Sequence, residues 1–210
     1  VTDDKGRYVI PDLPAATYDV WVRGDGLVDS QKVRATPGKR LYLTAVIAPN
    51  ARAAAEYYPA NYWYALLEPP PKSDFPGTGR GGNGIPEQNQ TQGAWLGNIK
   101  MTNACTQCHQ MGTKITRELS ASQKATFKTS IEAWEHRLLI GISGTFMNST
   151  LAPLGRQRGL KAFANWTDRI AKGEVPPVAP PRPAGVERNL VVTQWEWANA
   201  KRFVHDEITT

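Results

Sequence analysis

The sequence is poor in cysteine, histidine and methionine, in runs of one charge, and in long apolar stretches. Only two of its 210 residues are cysteine, and three each are histidine and methionine. The cysteines stand at 105 and 108, which excludes a disulfide scaffold. No run of about 18 apolar residues occurs, so no membrane-spanning helix is expected. The start, Val1-Thr2-Asp3-Asp4, has neither the basic residues nor the apolar run of a secretory leader. No basic run exceeds two residues and no nucleic-acid motif is present. The pI near 9.4 is therefore not read as nucleic-acid binding.

Glycine and proline are plentiful, 18 and 16 residues, and they predict long irregular connections. The net charge of +6 is concentrated in one segment. Residues 91–172 carry eleven basic and four acidic side chains, and the rest of the chain is close to neutral. A basic surface of this kind steers an acidic partner and speeds its association.

Residues 1–50 read as short strands parted by turns. Arg7-Tyr8-Val9-Ile10 is β-rich, and Tyr18, Val20 and Val22 share one face. Gly24-Asp25-Gly26 and Thr36-Pro37-Gly38-Lys39 are turn signals, and Leu41, Leu43, Ala45 and Ile47 share the face of a last strand. Fifty residues are too few to close a β-sandwich, so a neighbouring segment or chain is expected to complete it. The stretch Asp4-Lys5-Gly6-Arg7-Tyr8-Val9-Ile10-Pro11-Asp12-Leu13-Pro14, followed by Thr17-Tyr18-Asp19-Val20, resembles the C-terminal half of the carboxypeptidase regulatory-like domain. That resemblance implies a transthyretin-like sandwich used for docking, with no catalytic residues.

Residues 51–93 read as a helix-compatible stretch, an aromatic cluster (Tyr57, Tyr58, Tyr62, Trp63, Tyr64) and a Gly/Pro-rich linker or surface-wrapping loop. Residues 94–175 read as mostly helical. One helix is expected around the cysteines, over 94–111. A second is expected over 120–140, with Phe127, Ile131, Trp134 and Leu138 on one stripe, Ser120 as its cap and Gly141 as its stop. A third is expected over 157–172. Residues 176–210 read as a Pro-rich tether and a β-like tail.

The chemistry is concentrated in Cys105-Thr106-Gln107-Cys108-His109. Cys-x-x-Cys-His is the attachment motif of c-type haem. On one helical turn two sulfurs reach both vinyl groups of a single haem, and the next residue sets an imidazole under the iron. A structural zinc site would need about four ligands, and no second Cys/His pair stands at the right spacing. A redox Cys-x-x-Cys is expected beside a βαβ unit, and none surrounds this one.

A helix carrying the motif, a middle helix, a methionine-bearing loop and a last helix ending before proline resemble a class I cytochrome c domain, over about residues 90–175. The resemblance implies one covalently bound haem c, with Cys105 and Cys108 as thioethers and His109 as proximal ligand. It also implies a methionine on the loop before the last helix as the sixth ligand, and Met147 stands there. Met111 is only two residues past His109, and Met101 lies one turn before Cys105, on the proximal side. His136 is the rival ligand, although on a helical wheel it lies opposite the apolar stripe. An open distal position is the third alternative. Trp95, Trp134 and Trp166 are expected to wall the haem crevice, and Arg137, Arg156 and Arg158 are candidates for its propionates.

The tail from Glu187 to Trp197, continuing through His205-Asp206-Glu207-Ile208, resembles the stretch that opens a streptogramin-lyase-like β-propeller in larger bacterial proteins. As neighbours on a strand, His205, Asp206 and Glu207 point to alternate faces and do not converge. The reading is thus a multidomain chain: a partial β-sandwich, a mostly α cytochrome c-like domain and an extended tail. Haem attachment implies a periplasmic or extracellular location, with a leader removed or lying upstream. The expected role is single-electron transfer with a redox partner that presents an acidic patch. The alternatives are a haem-bearing part of an enzyme whose active site lies elsewhere, and a structural or docking module.

Overall fold

The structure, a computed structural model, describes residues 5–101 and 103–181. The chain divides into two compact units. The first holds the described residues up to Tyr58 and those from Pro177 onward; the second runs from Pro59 to Pro176.

In the first unit the strands are β1 (Tyr18–Val20), β2 (Leu27–Val28), β3 (Val33–Ala35) and β4 (Val46–Ile47). β1 pairs antiparallel with β3, with Tyr18 opposite Ala35 and Val20 opposite Val33. β2 pairs antiparallel with β4. The result is two separate two-stranded sheets. Ribbons this short are marginal without added packing. Helix α1 (Ala51–Ala55) supplies some, because it packs on β2 and buries Ala54 and Ala55. Asn50 starts it by accepting the Ala53 N–H at 2.9 Å. Tyr57 then ties back to the strands. Its hydroxyl accepts the Asp29 N–H at 3.2 Å, and Arg23 stacks on its ring at 5.1 Å while gripping Asp29 at 2.7 Å. Arg7–Ile10, expected as a strand, joins no ladder, and Val9 and Ile10 are exposed.

The second unit contains α2 (Ala60–Tyr64), α3 (Gln92–Lys100), α4 (Cys105–Cys108), α5 (Lys114–Arg117), α6 (Ala121–Thr126), α7 (Ser130–Arg137), α8 (Gly144–Ser149) and α9 (Arg156–Ala171). The core is built on α9, the longest of these. Its Leu160, Phe163, Trp166 and Ile170 recur at helical spacing and are fully buried. α7 lies along it, with Trp134 stacked on Phe163 at 5.0 Å and its indole N–H donated to Thr167 Oγ1 at 3.1 Å. Gly173, at φ +106°, takes the left-handed conformation just past the end of α9.

Two expected helices differ. The helix over 94–111 is two helices, because the backbone turns extended at Met101 and Ala104. The helix over 120–140 is also two. Ser120 with Gln123 and Thr129 with Glu132 each form a capping box, so the second box restarts the chain after an extended Phe127. The apolar stripe breaks with it: Trp134 and Leu138 are buried, but Ile131 is exposed. The Gly/Pro-rich stretch 69–93, read as a linker or a surface-wrapping loop, takes the second form and packs on this unit, as does α2 before it. Trp63, Ile85 and Asn89 are buried, and Asn89 donates to the Pro153 carbonyl at 2.7 Å. Arg158 holds this segment through Asp74 and the Asn83 carbonyl, both at 2.6 Å.

Among the described residues no helix is long and apolar enough to cross a membrane. Val1 to Asp4, the β-like tail and His205, Asp206 and Glu207 lie outside the described residues.

Candidate functional site

α3 ends at Lys100, and the chain runs extended at Met101 and again at Ala104 before the single turn of α4. Three residues of spacing on one turn set Cys105 and Cys108 on the same side. The backbone leaves the helix at His109 (φ −119°, ψ 132°), whose N–H still closes the turn on the Cys105 carbonyl at 3.0 Å. Both thiols are free of disulfide.

The exit from this turn is clamped. Gly112 sits at φ +98°, where a side chain is strained, and a Cβ there would collide with the Ala60 carbonyl oxygen of α2. Its N–H is donated to Thr116 Oγ1 at 2.9 Å, and its carbonyl accepts from Arg117 Nη1 at 3.0 Å. The buried Arg117 guanidinium stacks on Trp63 at 4.2 Å. Close backbone approach and a stacked, hydrogen-bonded cation thus fix the direction of the chain just past His109.

These elements enclose a cavity of about 550 Å³. Cys105, Cys108, His109, Met111 and Ile115 line it from the motif and the turn that follows. Trp134, His136, Arg137 and Leu138 line it from α7 and its end, Ile140 to Ser143 from the connection, Phe146 and Met147 from α8, and Phe163 from α9. The size is that of a site enclosing a cofactor-sized ligand. The wall is mainly apolar, with two thiols, two imidazoles and two thioethers set into it. That donor set fits a haem: sulfurs for two covalent links, an imidazole for the iron, methionine for a second axial bond, and apolar contact for the ring. Among the described residues no three His, Cys, Asp or Glu side chains converge as a metal site of their own.

The described residues singled out in the sequence each have a definite place. Met147 lies on α8 rather than on a loop, is 9% exposed and lines the cavity. His136 is exposed, as its helical phase requires, yet it reaches the cavity wall and packs against Phe127, the rings tilted by 42° with centroids 4.8 Å apart. Trp134 lines the cavity, while Trp95 and Trp166 do not. Those two are fully buried core residues whose indole N–H groups go to the carbonyls of Leu154 (2.7 Å) and Trp63 (3.0 Å). Met101 is exposed and outside the cavity. Of the three arginines, Arg137 lines it, stacked over Trp134 at 4.8 Å with Nη1 donated to the Glu118 carbonyl. Arg156 instead binds Glu135 and Asn148, and Arg158 binds Asp74.

Sequence reasoning missed Met111 and Ile115 as wall residues, and Thr150, whose hydroxyl lies 3.8 Å from the Cys105 sulfur. It also left Tyr64 in an undivided aromatic cluster. The four-residue spacing of Met111 and Ile115 after the motif was the available signal. Burial pushes the Cys105 thiol above its ordinary value, with the Thr150 hydroxyl opposing. Burial, and then the negative charge that Cys105 takes on, push the Tyr64 phenol up to about 12.

No protein-family model, no curated protein and no solved structure matches this chain.

Proposed function

We propose that this chain carries one covalently attached haem c and passes single electrons between partner proteins. One observation carries the reading: both thiols of a Cys-x-x-Cys-His turn, its histidine and a buried methionine from a separate helix line one cavity. Cys105 and Cys108 hold the ring covalently and His109 takes the proximal position. Met147 takes the distal position, because Met111 is tied by two residues of chain to the proximal histidine. Bound in this way, a haem supplies reversible one-electron iron chemistry, with methionine ligation favouring the reduced form. Trp134, Leu138 and Phe163 exclude water from the ring, and Arg137 supplies a fixed cation for a propionate.

Electron exchange takes place where the cavity's own Ile140, Ile142 and Phe146 are exposed. An apolar contact inside the basic surface of residues 91–172 suits a redox protein with an acidic patch. The N-terminal unit is read as a docking module. Because haem is attached outside the cytoplasmic membrane, the location is periplasmic or extracellular.

The test is an absorption spectrum of the chain made in a host able to attach haem, ferric and then dithionite-reduced. Sharp reduced α and β bands, together with a weak far-red sulfur-to-iron band in the ferric form, are expected. A high-spin spectrum with rapid cyanide binding removes Met147 and favours the enzymatic reading. Material without a Soret band overturns the proposal.

A further inference from the structure

Thr150 joins two sides of the candidate site and has no part in electron transfer as proposed above. It caps the C-terminal end of α8, is buried, and lines the same cavity as Cys105 and Met147. Its hydroxyl donates to the Met147 carbonyl at 2.7 Å. Its backbone N–H is shared between the Phe146 and Met147 carbonyls, each at 3.2 Å. The Met147 carbonyl therefore receives two donors from one residue. The same hydroxyl oxygen lies 3.8 Å from the Cys105 sulfur, 45 residues away in the chain. One side chain thus touches both the turn that carries Met147 and the sulfur that opens α4.

The chemistry of the hydroxyl decides which of these contacts is the bond. A hydroxyl has one proton to donate, and a peptide carbonyl accepts it better than a sulfur does. A sulfur in thioether linkage has no proton to give back. With Cys105 so linked, the Thr150 proton stays on the Met147 carbonyl, and the oxygen rests on the sulfur in packing contact. A threonine bonded back to a carbonyl three or four residues earlier in its own helix is a common local pattern. The contact with a second helix, α4, is what that local pattern does not require.

We infer that Thr150 is the positioning residue for the distal ligand: bonded to Met147 and seated on the Cys105 sulfur, it holds the Met147 turn at one distance from the point where the ring is attached. The inference rests on the haem reading above, with Met147 as distal ligand. Covalent attachment at Cys105 and ligation from α8 are then set by one side chain. The methionine is placed relative to the attachment sulfur itself, and not only relative to the core built on α9.

The test takes haem-loaded wild type, T150S, T150V and T150A, and reads ferric cyanide affinity together with the far-red sulfur-to-iron band. Cyanide binds only when Met147 leaves, so its affinity reports how firmly that side chain is held. T150S keeps the hydroxyl. T150V keeps the shape and loses the bond, and T150A loses both the bond and the seat on the sulfur. Cyanide is expected to bind T150S as it binds wild type. It is expected to bind T150V about two- to tenfold more tightly, the worth of one net hydrogen bond, and T150A more tightly still. On warming, the far-red band is expected to fade in the same order, below the far-UV melting temperature of each variant. A merely structural residue would lower the melting temperature and leave cyanide affinity unmoved. T150V equal to wild type, T150S as weakened as T150V, or T150A equal to T150V overturns the inference, and an intact wild-type band then leaves the haem reading standing. Wild type without that band overturns the inference together with the Met147 assignment. Wild type without covalent haem overturns the haem reading as well.

Discussion

Replacing Met147 and Met111 by alanine, one at a time, separates ligation from packing. Both side chains line the cavity, and their exposures are nearly equal at 9% and 7%. Truncating a buried methionine to alanine costs about 2–5 kcal/mol, so the two variants should lose stability by similar amounts. They should differ sharply in spectrum. Met111 is joined to His109 by two residues, a reach of at most ~7 Å, which is too short to pass around a porphyrin edge. Met147 comes from a separate helix and has no such tether. With haem attached, Met147→Ala should lose the far-red ferric band, turn high-spin, bind cyanide rapidly and show a lower midpoint potential. Met111→Ala should keep the band and a near wild-type potential while melting at a reduced temperature. Equal melting losses paired with unequal spectra would isolate the axial bond. If Met111→Ala loses the band and Met147→Ala keeps it, the assignment is refuted. If both keep it, His136, at the same wall, becomes the ligand to test.

Two further outcomes follow from the geometry. In the haem-free chain, burial keeps the Cys105 thiol protonated above its ordinary value of 9.0. It should therefore alkylate more slowly than free cysteine at pH 8, read by mass spectrometry of iodoacetamide-treated peptides; equal rates would show the thiol to be solvated. By linkage, a raised folded-state value means that the folded chain holds a proton the unfolded chain releases. The Cys105 contribution to stability is thus intact below about pH 9 and is lost as pH rises above it, an effect that Cys105→Ser should remove from the pH dependence of urea unfolding. Thr129 accepts the Glu132 N–H at 3.2 Å, and Glu132 accepts the Thr129 N–H at 3.1 Å. Thr129→Ala should cost about 1 kcal/mol of stability. No change in the urea midpoint would mean that α7 is held by Trp134 and Ala133 alone.

What the sequence disclosed, and what it hid, divides by how local the cause is. Cys105, Cys108, His109 and the Ser120 cap are set by neighbours within four residues, and the structure shows each local geometry directly. The α9 face was legible because Leu160, Phe163, Thr167 and Ile170 keep one period over about three turns. The break after Phe127 was hidden because Phe127, Ile131, Trp134 and Leu138 also fit one unbroken helix; the Thr129–Glu132 box competes with that period and wins. Trp95 and Trp166 were assigned to a crevice because they are large and apolar. Which carbonyl takes each indole N–H is a tertiary fact with no local signature. The same holds for the segment from Pro69 to Gln90. Its glycine and proline content reads equally as a linker or a surface-wrapping loop, and the contacts that decide for the loop, of Asn89 with Pro153 and of Asp74 with Arg158, span more than sixty residues of chain.

Cavity size turns the cofactor question into one about folding. Unfilled volume in a packed core costs roughly 24 cal/mol per Å³. For about 550 Å³ that would come to about 13 kcal/mol, an upper bound because water enters an open site. Whole domains are stable by only about 5–15 kcal/mol. The wall built from Leu138 to Met147 therefore cannot hold its shape against water at no expense, and Ile142, 98% exposed, is the extreme case. A chain unable to tether a haem should loosen around this wall while the contact of Trp95 with Leu154 persists. Cys105→Ala/Cys108→Ala is the variant to make. It is expected to keep most of its far-UV circular dichroism, lose the near-UV signal of Trp134, and bind the dye ANS. A double variant that matches haem-loaded wild type in near-UV signal and melting temperature would mean that the walls support themselves. The cavity would then be a rigid feature of the fold, and the argument from its size to a covalently held ring would fail.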